Sequence, residues 1–183
     1  RLTVLLSVTV FSDDQDSLMC CCVATNITER SQVAAEMSRL ANFDPLTQLP
    51  NRRLFQDRLR MSIVQARRAN TRFGLLMIDL DSFKPVNDQY GHSVGDLLLT
   101  AVAGRMLKCL REFLPILPII SGAHDATKEK KKILKTLSSP FRLAGGEVTV
   151  SISCSIGVVI YPEHGGGEDS LLKSADDAMY IAK

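Results

Sequence analysis

A group of polar side chains follows one apolar segment of this chain and gives the clearest chemical signal in the sequence. The group reads DLDSFKPVNDQYGHSVGD over residues 79–96 and follows the apolar run that begins at residue 73. Asp79 lies near the end of that run, which we predict to be a buried strand over 73–80. Sheets covered by helices bind their ligands at strand ends. A carboxylate there can hold a hard cation such as Mg²⁺ through oxygen.

The residues after Asp79 have the chemistry to bind a phosphorylated nucleotide. Backbone amides of Ser82 and Phe83, in a turn or at a helix start, can bind phosphate, and Lys84 adds a positive charge. Farther along the chain stand three polar residues that lie before or at the start of the next helix, Asn87, His92 and Asp96.

An amide and a carboxylate at such positions can contact the donor and acceptor edge of a purine, above all N1–H and the 2-amino group of guanine. Each of the three residues, taken alone, is more simply interpreted as a turn or cap residue. Together, and beside Asp79, they favour a phosphorylated nucleotide with Mg²⁺.

The elements that would position these side chains follow from residue 44 onward as alternating helices and strands. Pro115 and Pro118 make 113–120 an edge or irregular strand, since proline cannot donate to a sheet. This alternation predicts an α/β or α+β fold with a helix-covered sheet. The predicted helices are 52–69, capped by Asn51, then 95–110, 128–137 and 171–183, and two further strands lie within 143–161 about a glycine turn.

The first 43 residues show a different pattern. Apolar runs at 2–11 and 18–25, separated by a polar turn, predict an antiparallel hairpin. A lone hairpin is marginally stable, so we expect it to belong to a larger sheet. A helix over 29–41 carries Val33, Met37 and Leu40 at steps of four and three, which is typical of a short coiled coil or of an ordinary amphipathic helix.

The composition and net charge of the chain exclude several classes of protein. The 183 residues are 45% hydrophobic and 23% charged, which is enough to bury a core and excludes a disordered chain. A net charge of +2 gives no electrostatic case for nucleic acid. No apolar run approaches the ~20 residues of a membrane span, so we expect no membrane contact. Five cysteines without a CxxC pair predict reduced thiols and a cytoplasmic location.

Four blocks, in this order, resemble a GGDEF domain: DPLTQLPNRR at 44–53, MIDLDSFKPVNDQYGHSVGD at 77–96, SISCSIGVVIYP at 151–162 and LLKSADDAMYIAK at 171–183. GGDEF domains are diguanylate cyclases that convert two GTP into cyclic di-GMP. The resemblance implies an α+β fold, the ferredoxin-like βαββαβ palm of nucleotide cyclases, over 44–183. Residues 1–28 resemble the last strands of a PAS sensor domain, which makes 29–43 a linker helix.

The resemblance also implies a role for each matched position. Asp79 would be a catalytic metal ligand for Mg²⁺ or Mn²⁺, with Leu80 adding its backbone carbonyl. Asn87 and Asp96 would hold guanine, with His92 at the same pocket. The triphosphate would be contacted by Ser82, Phe83, Lys84 and Lys183. The implied partners are GTP and a second copy of the chain, which would pair through the linker helix.

The signature Gly-Gly-Asp/Glu-Glu-Phe of the family is absent. Glu112 and Phe113 resemble its last two residues, joined to the preceding helix by a deletion that would remove one edge strand. Glu112 is therefore the candidate for the second catalytic carboxylate, whereas Gly145-Gly146-Glu147 lies in a later hairpin and is interpreted as a plain turn. The sequence leaves two candidate functions open. One is a diguanylate cyclase, impaired or inactive, and the other is a catalytically silent module for GTP binding or dimerisation. A palm-type nucleotide polymerase is a remote third alternative.

Overall fold

The computed structural model describes residues 2–12, 18–109, 116–117, 120 and 122–183. It divides into two compact units, Arg1–Asn42 and Phe43–Lys183. Glu112 and Phe113, the expected remnant of the signature, lie outside the described residues.

The first unit is a hairpin followed by a helix. Strands β1 (Val4–Ser12) and β2 (Leu18–Asn26) pair antiparallel, which confirms the predicted hairpin. Helix α1 spans Thr28–Asn42. The apolar stripe of α1 (Val33, Met37, Leu40) is exposed, as are apolar residues of β1. This unit therefore presents apolar surface that its own residues do not cover.

The second unit opens with a tight turn that leads into helix α2 (Arg52–Ala69). The carboxylate of Asp44 accepts hydrogen bonds from the backbone N–H of Thr47 at 2.8 Å and from its hydroxyl at 2.7 Å. Asn51 accepts from the N–H of Leu54, so the predicted cap of α2 is confirmed.

A sheet of three described strands forms the centre of the second unit. Strand β3 (Phe73–Leu80) lies between β4 (Ile116–Leu117) and β7 (Cys154–Tyr161), and both neighbours run antiparallel to it. The described part of the 113–120 segment is therefore an edge strand, as the prolines predict. A separate hairpin is made by β5 (Phe141–Leu143) and β6 (Val148–Val150), joined by a 3₁₀ turn at Ala144–Gly146.

Helices cover both faces of the sheet. One face packs against α4 (His92–Cys109), α5 (Ala123–Leu137) and the β5–β6 hairpin, and the other packs against α2 and α6 (Glu168–Ile181). Alternate residues of β3 enter the two cores, because Leu76 faces the first and Leu75 the second. This is the α+β palm architecture expected from the sequence.

The sequence-based boundaries differ from the structure at several helices. The predicted helices leave out the segment after Asp81, but residues Phe83–Tyr90 form a helix, α3, with Pro85 in its first turn, where proline is tolerated. Helices α4 and α5 begin at His92 and Ala123 rather than at 95 and 128. Their polar first turns lack the apolar period that marks a helix.

No helix in the described part of the chain combines the length and apolarity needed to cross a bilayer.

Candidate functional site

The strand end at Asp79 carries an ion pair that the sequence does not reveal. Lys183, at the end of the chain beyond α6, places its Nζ 2.7 Å from Oδ2 of Asp79. Both side chains are about half exposed. The hydrogen bond to Asp79 and its negative charge raise the pKa of Lys183, with smaller contributions from Asp81 and Asp176. Two predicted site residues are thus brought together, with an ammonium group where the resemblance implies a metal ion.

Asp81 holds the end of β3 to the start of β7. Its carboxylate accepts hydrogen bonds from the hydroxyls of Ser153 at 2.7 Å and Ser155 at 2.8 Å. Its backbone N–H also donates to the carbonyl of Ser153 at 3.0 Å. Ser155 is only 4% exposed, so the network is anchored in the core. Burial and, to a smaller degree, the charge of Asp81 raise the pKa of the neighbouring Cys154 to about 11, which keeps that thiol protonated.

The predicted phosphate-binding residues stand at the start of α3. Ser82 precedes the helix with φ 60°, in the left-handed region that side chains seldom occupy, and its hydroxyl does not cap the helix. Phe83 and Lys84 are the first two residues of α3, so their N–H groups belong to the unpaired donors of a helix N-terminus. This geometry can bind an anion.

The two residues predicted to hold guanine lie on α3 and α4, which pack against each other at Asn87 and Gly95. Gly95 of α4 is buried, and a Cβ atom at this position would overlap Oδ1 of Asn87 and lie 3.4 Å from the ring of Phe83. Asp96 is the next residue and its side chain is exposed, as is that of His92 at the first position of α4. The glycine therefore lets the Asn87 amide lie directly against α4, at the residue that precedes Asp96.

The described residues fit a cation that is held jointly with phosphate groups, but they do not form a complete metal cage. At the strand end, the carboxylate of Asp79, which pairs with Lys183, and the carbonyl of Leu80 could supply oxygen ligands. No group of three or more His, Cys, Asp or Glu side chains within the described ranges is arranged to hold a metal ion. Mg²⁺ often binds proteins through one or two carboxylates, with substrate phosphates supplying other ligands.

Sequence reasoning missed Gly95 and the partners of Asp81. Asp81 follows Asp79 by two residues, which is the spacing of side chains on one side of an extended segment, and this is the local signal that could have marked Asp81. Nothing in the local sequence marks Ser153 and Ser155, which lie 72 and 74 residues away along the chain.

Comparison with known proteins supports one family. The model of the diguanylate cyclase GGDEF domain matches residues 41–183. The chain is 41% identical over 167 aligned residues to the bifunctional diguanylate cyclase/cyclic di-GMP phosphodiesterase MucR of Pseudomonas aeruginosa, covering 85% of this chain and 24% of MucR. The signaling protein YkoW of Bacillus subtilis is 31% identical over 195 aligned residues, covering 100% of this chain and 24% of YkoW.

A solved structure shows the same fold. A truncated form of TpbB (YfiN) from Pseudomonas aeruginosa, comprising only its GGDEF domain, superimposes with a TM-score of 0.72 and is 38% identical in sequence. The match covers 77% of this chain and 88% of that one. The chain spans about a quarter of the length of MucR and YkoW.

Proposed function

The chain belongs to the GGDEF domain family of diguanylate cyclases, and from this premise we propose that it binds GTP but makes little or no cyclic di-GMP. It would act within a cyclic di-GMP signalling protein in the cytoplasm, where GTP is supplied and thiols stay reduced. Asp79 and Leu80 would hold Mg²⁺ brought by the triphosphate, and the metal would supply charge neutralisation.

The residues on the strands beside Asp79 are the main support for the proposed lack of catalysis. Phosphoryl transfer of this kind uses carboxylates from neighbouring strands to position metal ions and activate the attacking hydroxyl. On β7 the residue opposite Asp79 is Ser155. On the other side, the described part of β4 pairs with Gly74 and Leu75, at the far end of β3. Among the described residues, no neighbouring strand therefore places a carboxylate beside Asp79.

The alignment with YkoW supports a loss of residues in this chain. It runs over 195 positions, which is 12 more than the 183 residues of the chain. A deletion between α4, which spans His92–Cys109, and Phe113 would account for a difference of this size. The segment that would be lost contains the signature turn and its edge strand.

A cyclase assay tests the catalytic half of the proposal. We expect no cyclic di-GMP when the protein is incubated with GTP and Mg²⁺ and the products are separated by liquid chromatography. The Asp79→Ala variant provides the control, because product that disappears in this variant would show a working site and contradict the proposal. Inserting a signature-bearing strand and turn between Leu110 and Phe113 is expected to restore some activity.

A binding experiment tests the second part of the proposal, that the chain binds GTP. A site that hydrogen-bonds the edge of guanine rejects adenine, because its own polar groups would be left unpaired. We expect GTP to bind more tightly than ATP but weakly, with Kd moved from ~1 μM towards ~1 mM by the lost second carboxylate and glycine turn.

Asp96→Ala is expected to weaken GTP binding further, while Asp177→Ala, on the exposed surface of α6, serves as a matched control. Calorimetry or ligand-observed NMR measures both. Equal binding of GTP and ATP, unchanged by Asp96→Ala, would contradict nucleotide recognition.

Dimerisation is a second candidate function, favoured by the uncovered stripe of α1. Met37 is 67% exposed and Leu40 57%. Two copies could bury these side chains against each other as a short coiled coil, and the PAS-like hairpin before α1 would then regulate the pairing. We expect Met37→Glu to shift the sedimentation of the protein towards monomer and Ser38→Glu, on the opposite side of the helix, to leave it unchanged. A protein that is monomeric at all concentrations would contradict this role.

A further inference from the structure

The backbone at the end of β3 is held in one orientation by a hydrogen bond to the segment that leads into β7. The N–H of Asp81 donates to the carbonyl of Ser153 at 3.0 Å. The carbonyl of Leu80 and the N–H of Asp81 belong to one planar trans peptide group, in which they point in opposite directions. The Leu80 carbonyl therefore points away from β7, towards the side of β3 on which the described part of β4 reaches only Gly74 and Leu75.

The side chain of Asp81 fastens the same peptide group a second time. Its two carboxylate oxygens accept from two different hydroxyls, those of Ser153 at 2.7 Å and Ser155 at 2.8 Å. Hydrogen bonds to a charged carboxylate are stronger than those between neutral groups. Ser155 is buried and lies opposite Asp79 in the sheet, so one of the two anchors belongs to the core. A rotation of the peptide between Leu80 and Asp81 would therefore disturb three hydrogen bonds.

We propose that Asp81 is a positioning residue for the metal, because it holds the Leu80 carbonyl in the direction from which that oxygen binds the cation together with the Asp79 carboxylate. Asp81 acts through Leu80 and not as a ligand, since both of its carboxylate oxygens are turned towards the two serines. Removing a group that orients a metal ligand commonly weakens metal binding about tenfold to a hundredfold. This inference rests on the proposed function, in which Asp79 and Leu80 hold the metal.

The charge of Asp81 and its hydrogen bonds can be removed separately. Asp81→Asn removes the charge and keeps the bonds, because the amide oxygen accepts from the Ser155 hydroxyl and the amide nitrogen donates to the exposed Ser153 hydroxyl, which is also an acceptor. Ser153→Ala/Ser155→Ala keeps the charge and removes both hydroxyl anchors. The single variant Ser153→Ala, at the exposed hydroxyl, provides the same test without a change in the core. Asp177→Ala, on the exposed surface of α6, is the control for the loss of one negative charge.

Mn²⁺ added to the whole chain without nucleotide is the probe, because carboxylate and carbonyl oxygens suit this cation and its paramagnetism broadens the NMR signals of nearby amides. We expect Mn²⁺ to broaden the amide signals of residues 79–81 in the wild type. Asp81→Asn and Asp177→Ala should keep the Kd for Mn²⁺ close to the wild-type value. Ser153→Ala/Ser155→Ala should weaken binding about tenfold, and Ser153→Ala alone by less. Urea denaturation of the same samples compares the stability of the variants.

Two results would overturn the positioning role while leaving the metal site in place. One is a loss of Mn²⁺ binding in Asp81→Asn as large as in the serine variants, since the charge of Asp81 would then attract the metal directly. The other is wild-type affinity in both folded serine variants.

A different result would contradict the metal ligands themselves. If Mn²⁺ does not broaden the signals of residues 79–81 in the wild type, Asp79 and Leu80 do not hold the metal, and the positioning role of Asp81 is overturned with them. GTP is absent from this experiment, so a failure of guanine recognition does not affect its result.

Discussion

Replacing Gly95 by alanine tests how closely the fold positions the residue predicted to recognise guanine. The methyl group of Gly95→Ala would occupy the place of Asn87 Oδ1 and touch the ring of Phe83. The obstacle is the end of an amide side chain rather than backbone, so Asn87 turns aside and α4 stays in place. Gly104 lies in the same helix with no atom within 4 Å of its added Cβ, and Gly104→Ala is therefore the matched control.

The expected magnitudes separate binding from stability. Alanine in place of glycine inside a helix stabilises by about 0.8–1 kcal/mol. Moving Asn87 off its preferred rotamer costs about 0.5–1.5 kcal/mol. The free energy of unfolding of Gly95→Ala should therefore stay within about 1 kcal/mol of the wild type, while Gly104→Ala gains the full helical benefit. Loss of the Asn87 contacts with the base removes about 1–3 kcal/mol of binding free energy, or roughly fivefold to 150-fold in Kd.

Urea denaturation and ligand-observed NMR with GTP measure these two quantities on the same samples. Wild-type affinity in a folded Gly95→Ala protein would refute the assignment of Asn87 to the guanine site. A loss of more than about 3 kcal/mol of stability would instead show that the helix, and not the side chain, had moved.

Three other substitutions test the scaffold and its pH dependence. The guanidinium of Arg105 donates hydrogen bonds to three backbone carbonyls, those of Ser139, of Thr136 at 3.3 Å and of Pro140 at 2.5 Å. It also lies 3.5 Å from the ring centroid of Phe141. Arg105→Lys keeps the charge but loses the planar fork, and we expect it to cost about 1–3 kcal/mol in urea denaturation; an unchanged midpoint would contradict this. Gly157→Ala would drive its Cβ into the backbone of α6 at Ala175 and Met179, so we expect a loss of about 3 kcal/mol or more, checked against Gly104→Ala. Hydrogen bonds from the N–H and then the hydroxyl of Thr47 lower the pKa of Asp44, so its carboxylate stabilises the fold above its unfolded pKa, and that stabilisation is lost as pH falls through the folded value. The stability difference between wild type and Asp44→Asn should therefore shrink between pH 6 and pH 3, and a constant difference would show that Asp44 does not titrate in this way.

The sequence by itself determined the elements whose signals are local. Asn51 capping α2, the apolar run of β3 and the apolar runs that pair as β1 and β2 each depend on neighbouring residues, and each is confirmed. The α+β palm was expected from the resemblance of four sequence blocks to GGDEF domains. Relatives that share such blocks in the same order share the core that those residues pack. Helix α3 was missed because its stabilising contacts, such as the packing of Phe83 against the core of the sheet, are tertiary.

Only the tertiary structure decided how the site is assembled. The pairing of Asp79 with Lys183 joins the end of β3 to the last residue of the chain, and no periodicity relates two residues so far apart. Ser153 and Ser155 become partners of Asp81 because the register of β3 and β7 places the two strand ends side by side. Sequence patterns record which face of an element is apolar, whereas the distance between two polar groups depends on how those faces pack together.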